Sequence, residues 1–265
     1  MSPRRRALVV AAVVAAALVL IAVVALVAGL SRRAGPELAR TGEVPVLLVH
    51  GYNGTPASMD ALAARLGAAG RRVVAVSLPD QGTGDLRVSA RALAGAVDRT
   101  GAARVDLVGF SAGGIVARLW LAEEAGALRA RRVVLLGAPN HGTELAGAAA
   151  GLDPGLCDGA CAQLAPGSAL LAELNRGDET PGGPRVFSIW TALDRTVTPP
   201  ATAVLEGAAN IRVQDVCASS QVDHGGLVTD PLALGLTLGA LEGTLPEAPG
   251  AGDCARLQAT GARGR

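Results

Sequence analysis

The chain has 265 residues, half of them hydrophobic, which is enough for one compact domain with a substantial core. Basic and acidic side chains nearly cancel, 24 against 23, so the broad positive field that nucleic acid or an anionic membrane surface requires is absent. Apart from the three histidines every basic residue is arginine, which excludes chemistry built on a lysine amine, such as a phosphate-loop lysine or a Schiff base.

From Ala7 to Leu30 the sequence is an unbroken run of Ala, Val, Leu and Ile with one Gly. As a helix it exceeds the ~20 residues that cross a bilayer. It is also longer than the roughly 7–15-residue apolar core of a cleaved signal peptide, and no clear A-x-A site precedes Ser31. Residues 1–30 are therefore expected to be an uncleaved membrane anchor rather than a buried core helix, with secretion after signal cleavage as the alternative. Arg4, Arg5 and Arg6 before the run outnumber Arg32 and Arg33 after it, which places the N-terminus in the cytoplasm and the main domain outside the cell membrane.

Residues 31–43 read as a polar linker, residues 44–245 as a catalytic domain and residues 246–265 as a C-terminal tail tied down by Cys254. Val46 to His50 is a buried strand that stops at Gly51, followed by a helix over Met59 to Ala69. A second strand over Val73 to Leu78 ends at Pro79, a helix covers Leu86 to Arg99, and a third strand over Val105 to Val108 ends at Gly109. Gly113 to Glu124 is helical, Val133 to Leu136, Val186 to Trp190 and Ile211 to Val216 are strands, and Asp230 to Leu241 is a closing helix. Strands alternating with helices predict a mostly parallel sheet with helices on both faces and a site at the carboxyl ends of the strands. Ala138 to Pro184, rich in Gly and Pro with at most a short helix at Ser168 to Leu174, breaks the rhythm and is expected to cover part of that site.

Cys157, Cys161, Cys217 and Cys254 lie in the part expected outside the cytoplasm, where disulfides persist. Of the three possible connectivities, Cys157–Cys161 with Cys217–Cys254 is preferred, because the first pair shares one short Gly-rich loop. A four-thiolate zinc site is disfavoured by the lack of a C-x-x-C spacing.

Gly109–Phe110–Ser111–Ala112–Gly113 matches G-x-S-x-G between a predicted strand and a predicted helix. Such a turn presents Ser111 to substrate on a strained backbone, and the elbow glycines Gly109 and Gly113 leave it room. A serine hydroxyl needs a general base. His50, at the end of the first strand, is expected to shape an oxyanion loop, and His141, ahead of any plausible acid, to stabilise its own loop. His224, between the last strand and the last helix, is the expected base. Asp194, after the strand Val186 to Trp190, supplies the orienting acid and completes the order Ser, Asp, His. Asp215, placed within a strand, and Asp223, adjacent to His224, are weaker candidates. The backbone N–H groups of Tyr52 and Ala112 are the expected oxyanion donors.

With these motifs placed, the chain resembles the secreted bacterial lipases and esterases of the α/β-hydrolase superfamily, and in particular the class 2 lipase family. The likeness covers roughly Val44 to Leu241 and rests on Val49–His50–Gly51, Gly109 to Gly114, Gly137 to Thr143, Thr191 to Asp194 and Asp223 to Val228. Phe110 departs from the pattern, since many members carry His or Tyr before the nucleophile. The resemblance implies an α/β-hydrolase fold and hydrolysis of carboxylic esters, lipid esters among them, through an acyl-enzyme and without a redox cofactor. The expected enzyme works as a monomer without a catalytic metal, on an ester or lipid substrate, with no nucleic-acid partner. Competing readings are a short-chain carboxylesterase or acyl-thioesterase, and a non-catalytic hydrolase-fold binding protein.

Overall fold

The computed structural model describes residues 44–263 apart from Asp153, Pro154, Leu156 and Pro181. The anchor expected over 1–30 and the linker over 31–43 lie outside the described residues. Among the described residues no helix is long and apolar enough to cross a membrane.

Six strands form one parallel sheet: β1 (Val46–Val49), β2 (Val73–Val76), β3 (Val105–Phe110), β4 (Ala130–Leu136), β5 (Arg185–Trp190) and β6 (Ala209–Arg212). Their spatial order is β2-β1-β3-β4-β5-β6, with every neighbouring pair parallel. All four residues of β1 are fully buried because both faces of the sheet are covered. Alternate side chains therefore serve two cores. Leu47 and Val49 join Leu107, Val133 and Leu135 on one face, while Val46 and Leu48 join Val108, Val134 and Leu136 on the other.

Helices α1 (Asp60–Ala68), α2 (Leu86–Arg99) and α3 (Ala112–Glu123) follow the first three strands. The Asp85 carboxylate caps α2 by accepting from the N–H of Arg87 at 2.8 Å. Hydrogen bonds from the Gln163 side chain and from that N–H hold the Asp85 carboxyl below its usual value. Leu93 and Val97 of α2 pack with Ile115 and Leu119 of α3 on one face of the sheet; Leu62 and Leu66 of α1 cover the other. The stretch expected to hold at most one helix carries three short ones, α4 (Glu144–Leu152), α5 (Gly159–Gln163) and α6 (Ala169–Leu174).

The strand expected over Ile211 to Val216 is shorter. The chain leaves the sheet at Arg212 and turns into the one-turn helix α7 (Val213–Val216). Ile211 and Val213 have strand spacing, but Val213 and Val216 are both buried at the three-residue spacing of a helical turn. Asp215 is thus on a helix, ion-paired with Arg212 one turn away, and not within a strand.

Helix α8 (Pro231–Glu242) starts on Asp230, whose carboxylate accepts from the N–H of Leu232 at 2.7 Å. Every residue from Leu232 to Leu241 is buried. The second cover comes from α9 (Cys254–Ala262), within the stretch expected to be a tail. The two helices touch backbone to backbone, since a Cβ on Gly235 would lie 2.0 Å from the Leu257 carbonyl oxygen and one on Gly261 1.8 Å from that of Pro231. Cys217–Cys254 ties this pair to the turn after α7, and Cys157–Cys161 closes a loop before α6. Both expected bridges are present. In the chain-entropy account the longer one, spanning 37 residues, contributes about 4 kcal/mol. Two disulfides indicate an oxidising compartment and suggest an extracellular or secreted protein.

Candidate active site

Ser111 occupies the turn between β3 and α3 with φ 54° and ψ −127°, a conformation that costs a non-glycine residue of order 1–3 kcal/mol. Two backbone hydrogen bonds hold it there: the Ser111 N–H donates to the Leu136 carbonyl at 2.8 Å, and the Gly114 N–H donates to the Ser111 carbonyl at 2.9 Å. The flanking glycines are needed for space. A Cβ on Gly109 would stand 2.6 Å from the Gly113 carbonyl oxygen, and one on Gly113 2.3 Å from that of Val49. The loop after β1 passes over the serine so closely that a Cβ on Gly51 would be 2.9 Å from the Ser111 Cβ.

Asp194 follows β5 and is buried. Its Oδ1 accepts from the N–H groups of Thr196 and Val197, both at 2.8 Å, and its Oδ2 accepts from His224 Nδ1 at 2.7 Å. With Nδ1 donating, the neutral ring leaves Nε2 as its acceptor. The imidazole packs on Phe110, the neighbour of Ser111, with ring centroids 4.9 Å apart. A Cβ on Gly137 would stand 3.2 Å from His224 Nδ1, so a larger residue there would crowd the ring. Asp194 and His224 are therefore brought together at the carboxyl ends of the strands, beside Ser111. Among the described residues no hydrogen bond links the Ser111 hydroxyl to the imidazole, a common state of such a pair before substrate binds.

The other histidines are occupied elsewhere. His50 is buried, with its Nε2 accepting from the Leu78 N–H at 3.3 Å and its Nδ1 donating to the Gly51 carbonyl at 2.9 Å. It thereby shapes the loop that carries Tyr52. His141 lies at the surface against Glu179 Oε1 at 2.8 Å. Asp223 accepts from the Gly226 N–H at 2.8 Å, which organises the turn that follows His224.

Five residues to which sequence reasoning gave no role hold the site loops in place. The buried Thr191 hydroxyl donates to the Val222 carbonyl at 2.6 Å and accepts from Gln214 Nε2 at 3.0 Å, linking the Asp194 loop to the His224 loop. Gln214 also accepts from the Ala192 N–H at 2.9 Å. Thr143 donates to the Thr196 carbonyl at 2.7 Å, and Asn140 donates to the Ala203 carbonyl at 2.7 Å. Arg118, on α3, donates to the Asn140 carbonyl at 3.3 Å. Burial pushes that guanidinium down to about 10, partly offset by the charge of Glu179. Thr191 opens the quoted aspartate motif, but nothing in a sequence distinguishes a buried linking hydroxyl from a solvated one.

Two cavities flank the serine and the imidazole. An apolar one of about 190 Å³ is lined by Ser111, Tyr52, Leu145, Ala146, Leu164 and Val197, so the segment of three short helices forms part of its wall. A larger one of about 800 Å³, mixed in character, is lined by His224, Asp194, Phe110, Arg195, Gln221 and Asp223. Among the described residues no group of His, Cys, Asp and Glu is placed to hold a metal ion.

A parallel sheet with a strained serine between its third strand and the next helix, and an Asp–His pair at the same edge, is the α/β-hydrolase architecture. The chain belongs to the alpha/beta hydrolase family, whose model matches residues 46–252. No curated protein matches it. Among solved structures, Aspergillus fumigatus lipase B superposes with a TM-score of 0.69 at 21% identity, over 84% of this chain and 57% of the lipase. Bacillus licheniformis lipase BlEst2 gives 0.62 at 21% identity in its propeptide form, over 80% of this chain and 53% of that one. Its mature form gives 0.59 at 19%, over 76% and 93%. At these identities the likeness establishes the fold, and the chain spans little more than half the length of the first two.

Proposed function

We propose that this chain is a carboxylic ester hydrolase acting through an acyl-enzyme on Ser111, with His224 as general base and Asp194 as the acid that orients it. The observation that carries the reading is the Asp194–His224 hydrogen bond of 2.7 Å at the same strand ends as a strained, unengaged Ser111. In the first half-reaction Ser111 Oγ attacks the ester carbonyl carbon as its proton passes to His224 Nε2. Asp194 stabilises the imidazolium without taking its proton. The tetrahedral oxyanion is met by the N–H groups of Tyr52 and Ala112, each worth about 100- to 1000-fold in rate. Collapse expels the alcohol, which leaves with the proton from His224. Water, deprotonated by the same imidazole, then releases the carboxylic acid. All three side chains come from one chain, so a single copy is sufficient.

The apolar cavity beside Ser111 supports a short acyl group, because about 190 Å³ falls below the ~300–1,000 Å³ typical of small-molecule sites. The test is a panel of purified-domain assays on butanoate, octanoate and emulsified long-chain glyceride, with an acyl-thioester beside them and a covalent serine-directed probe on the folded protein. Probe labelling of Ser111 and preferred cleavage of the short oxygen esters are expected. Preference for the long-chain glyceride would make the protein a lipase, and thioester preference a thioesterase. No labelling and no hydrolysis would leave a binding protein.

We further propose that residues 1–30 remain as a membrane anchor with the domain outside the cell, on the strength of the apolar run Ala7 to Leu30 and the two disulfides. Intact-mass analysis of membrane-extracted protein should include those residues. A mature N-terminus near Ser31 would mean secretion instead.

A further inference from the structure

The alcohol half of the substrate has its own place in this site, and the chemistry says which. An ester can be cleaved here only if its leaving oxygen receives a proton from His224, so the alcohol must lie against the imidazole. The cavity that His224 lines, about 800 Å³, mixes polar and apolar groups, whereas the cavity that Ser111 lines is almost wholly apolar. Hydrogen-bonding side chains are thus offered to the alcohol half of the substrate and hardly at all to the acyl half.

The larger cavity offers both kinds of hydrogen-bonding group. Arg195 is exposed, and among the described residues its guanidinium has neither a carboxylate nor a hydrogen-bond partner. Its five N–H donors are therefore free for a ligand. Asp223 uses one carboxylate oxygen on the Gly226 N–H and has the other free to accept. Gln221 and Thr196 add an amide and a hydroxyl, and Phe110 and Leu193 supply apolar surface between them. A hydroxyl needs a donor and an acceptor at once, which this set provides. An anionic alcohol is disfavoured, because the charge of Asp223 offsets that of Arg195 and the Asp194 carboxylate lies just beneath.

We infer that the site takes esters of neutral sugars, with Arg195 and Asp223 as the residues that select the alcohol. This rests on the ester-hydrolase reading above. The experiment uses three substrates with one acyl group: butyl butanoate, a glucose monobutanoate, and the butanoate of glycerol phosphate. The glucose ester is expected to have the highest kcat/KM, by about tenfold or more over the butyl ester if even one hydrogen bond to a charged group is made. Arg195→Ala and Asp223→Asn should each bring that ratio towards one. Asparagine keeps an acceptor for the Gly226 N–H, and any disturbance of His224 itself acts on all three esters alike and cancels in the ratio. Equal or better cleavage of the butyl ester overturns the inference while leaving ester hydrolysis intact. A fastest rate on the phosphate ester, rising further in Asp223→Asn, overturns it in favour of an anionic alcohol. Three inert esters would remove both the inference and the reading beneath it.

Discussion

Ser111→Ala is expected to lower kcat for butanoate ester hydrolysis by about a million-fold, the scale seen when a hydrolase loses the nucleophile of a complete triad. The loss is so large because His224 and Asp194 have nothing to activate once the hydroxyl is gone, so three residues fall silent together. The fold should not notice. The Ser111 hydroxyl makes no hydrogen bond among the described residues, the turn is held by backbone bonds to Leu136 and Gly114, and alanine carries the same Cβ at the same φ. The thermal midpoint is therefore expected to stay within a few degrees, which separates chemistry from stability in one variant. Hydrolysis retained within tenfold of the parent, at an unchanged midpoint, would sink the acyl-enzyme on Ser111.

The sheet and its site were legible for different reasons. Strands buried on both faces leave no choice of register face, so runs such as Val46 to Val49 could be read directly. The elbow was legible because its constraints are steric and local: glycine at 109 and 113 is the only residue that fits 2.3–2.6 Å from a carbonyl oxygen. Ala138 to Pro184 was harder. Its helix α4 is almost all small apolar residues, and without a polar face the helical period has nothing to contrast with. The helix α9 left a clue that composition alone does not resolve. Helix α8 is apolar on every side from Leu232 to Leu241, which demands a second cover beyond the sheet, and its Gly235 marks where another backbone arrives. The turn from β6 into α7 was misread because Ile211 and Val213 alternate as a strand would, and only the burial of Val216 reveals the helical spacing. The links between loops, from Thr191 to Val222 and from Thr143 to Thr196, join residues far apart in the chain and have no local signature.

Asp194→Asn should reduce kcat by about ten-thousand-fold while leaving the fold nearly as stable, and the direction of the new amide explains why. Asp194 Oδ1 is held by two backbone donors, the N–H groups of Thr196 and Val197. Asparagine keeps its carbonyl oxygen on that pair, because turning the amide round would aim its own N–H at two N–H groups and leave both unsatisfied. The amide nitrogen then faces His224 Nδ1, which can accept from it only by giving up its own proton. The imidazole shifts to the tautomer with hydrogen on Nε2, the nitrogen that must take the proton from Ser111. A base already protonated at the reacting nitrogen cannot start the reaction, so the loss falls on kcat and not on binding. Asp194→Ala separates the two roles, since it also strips the acceptor from the Thr196 and Val197 N–H groups and should lower stability by about 1–3 kcal/mol. If Asp194→Asn keeps kcat within tenfold, the orienting acid is elsewhere. Asp223, beside His224 and carrying a free carboxylate oxygen, would then be the residue to replace next.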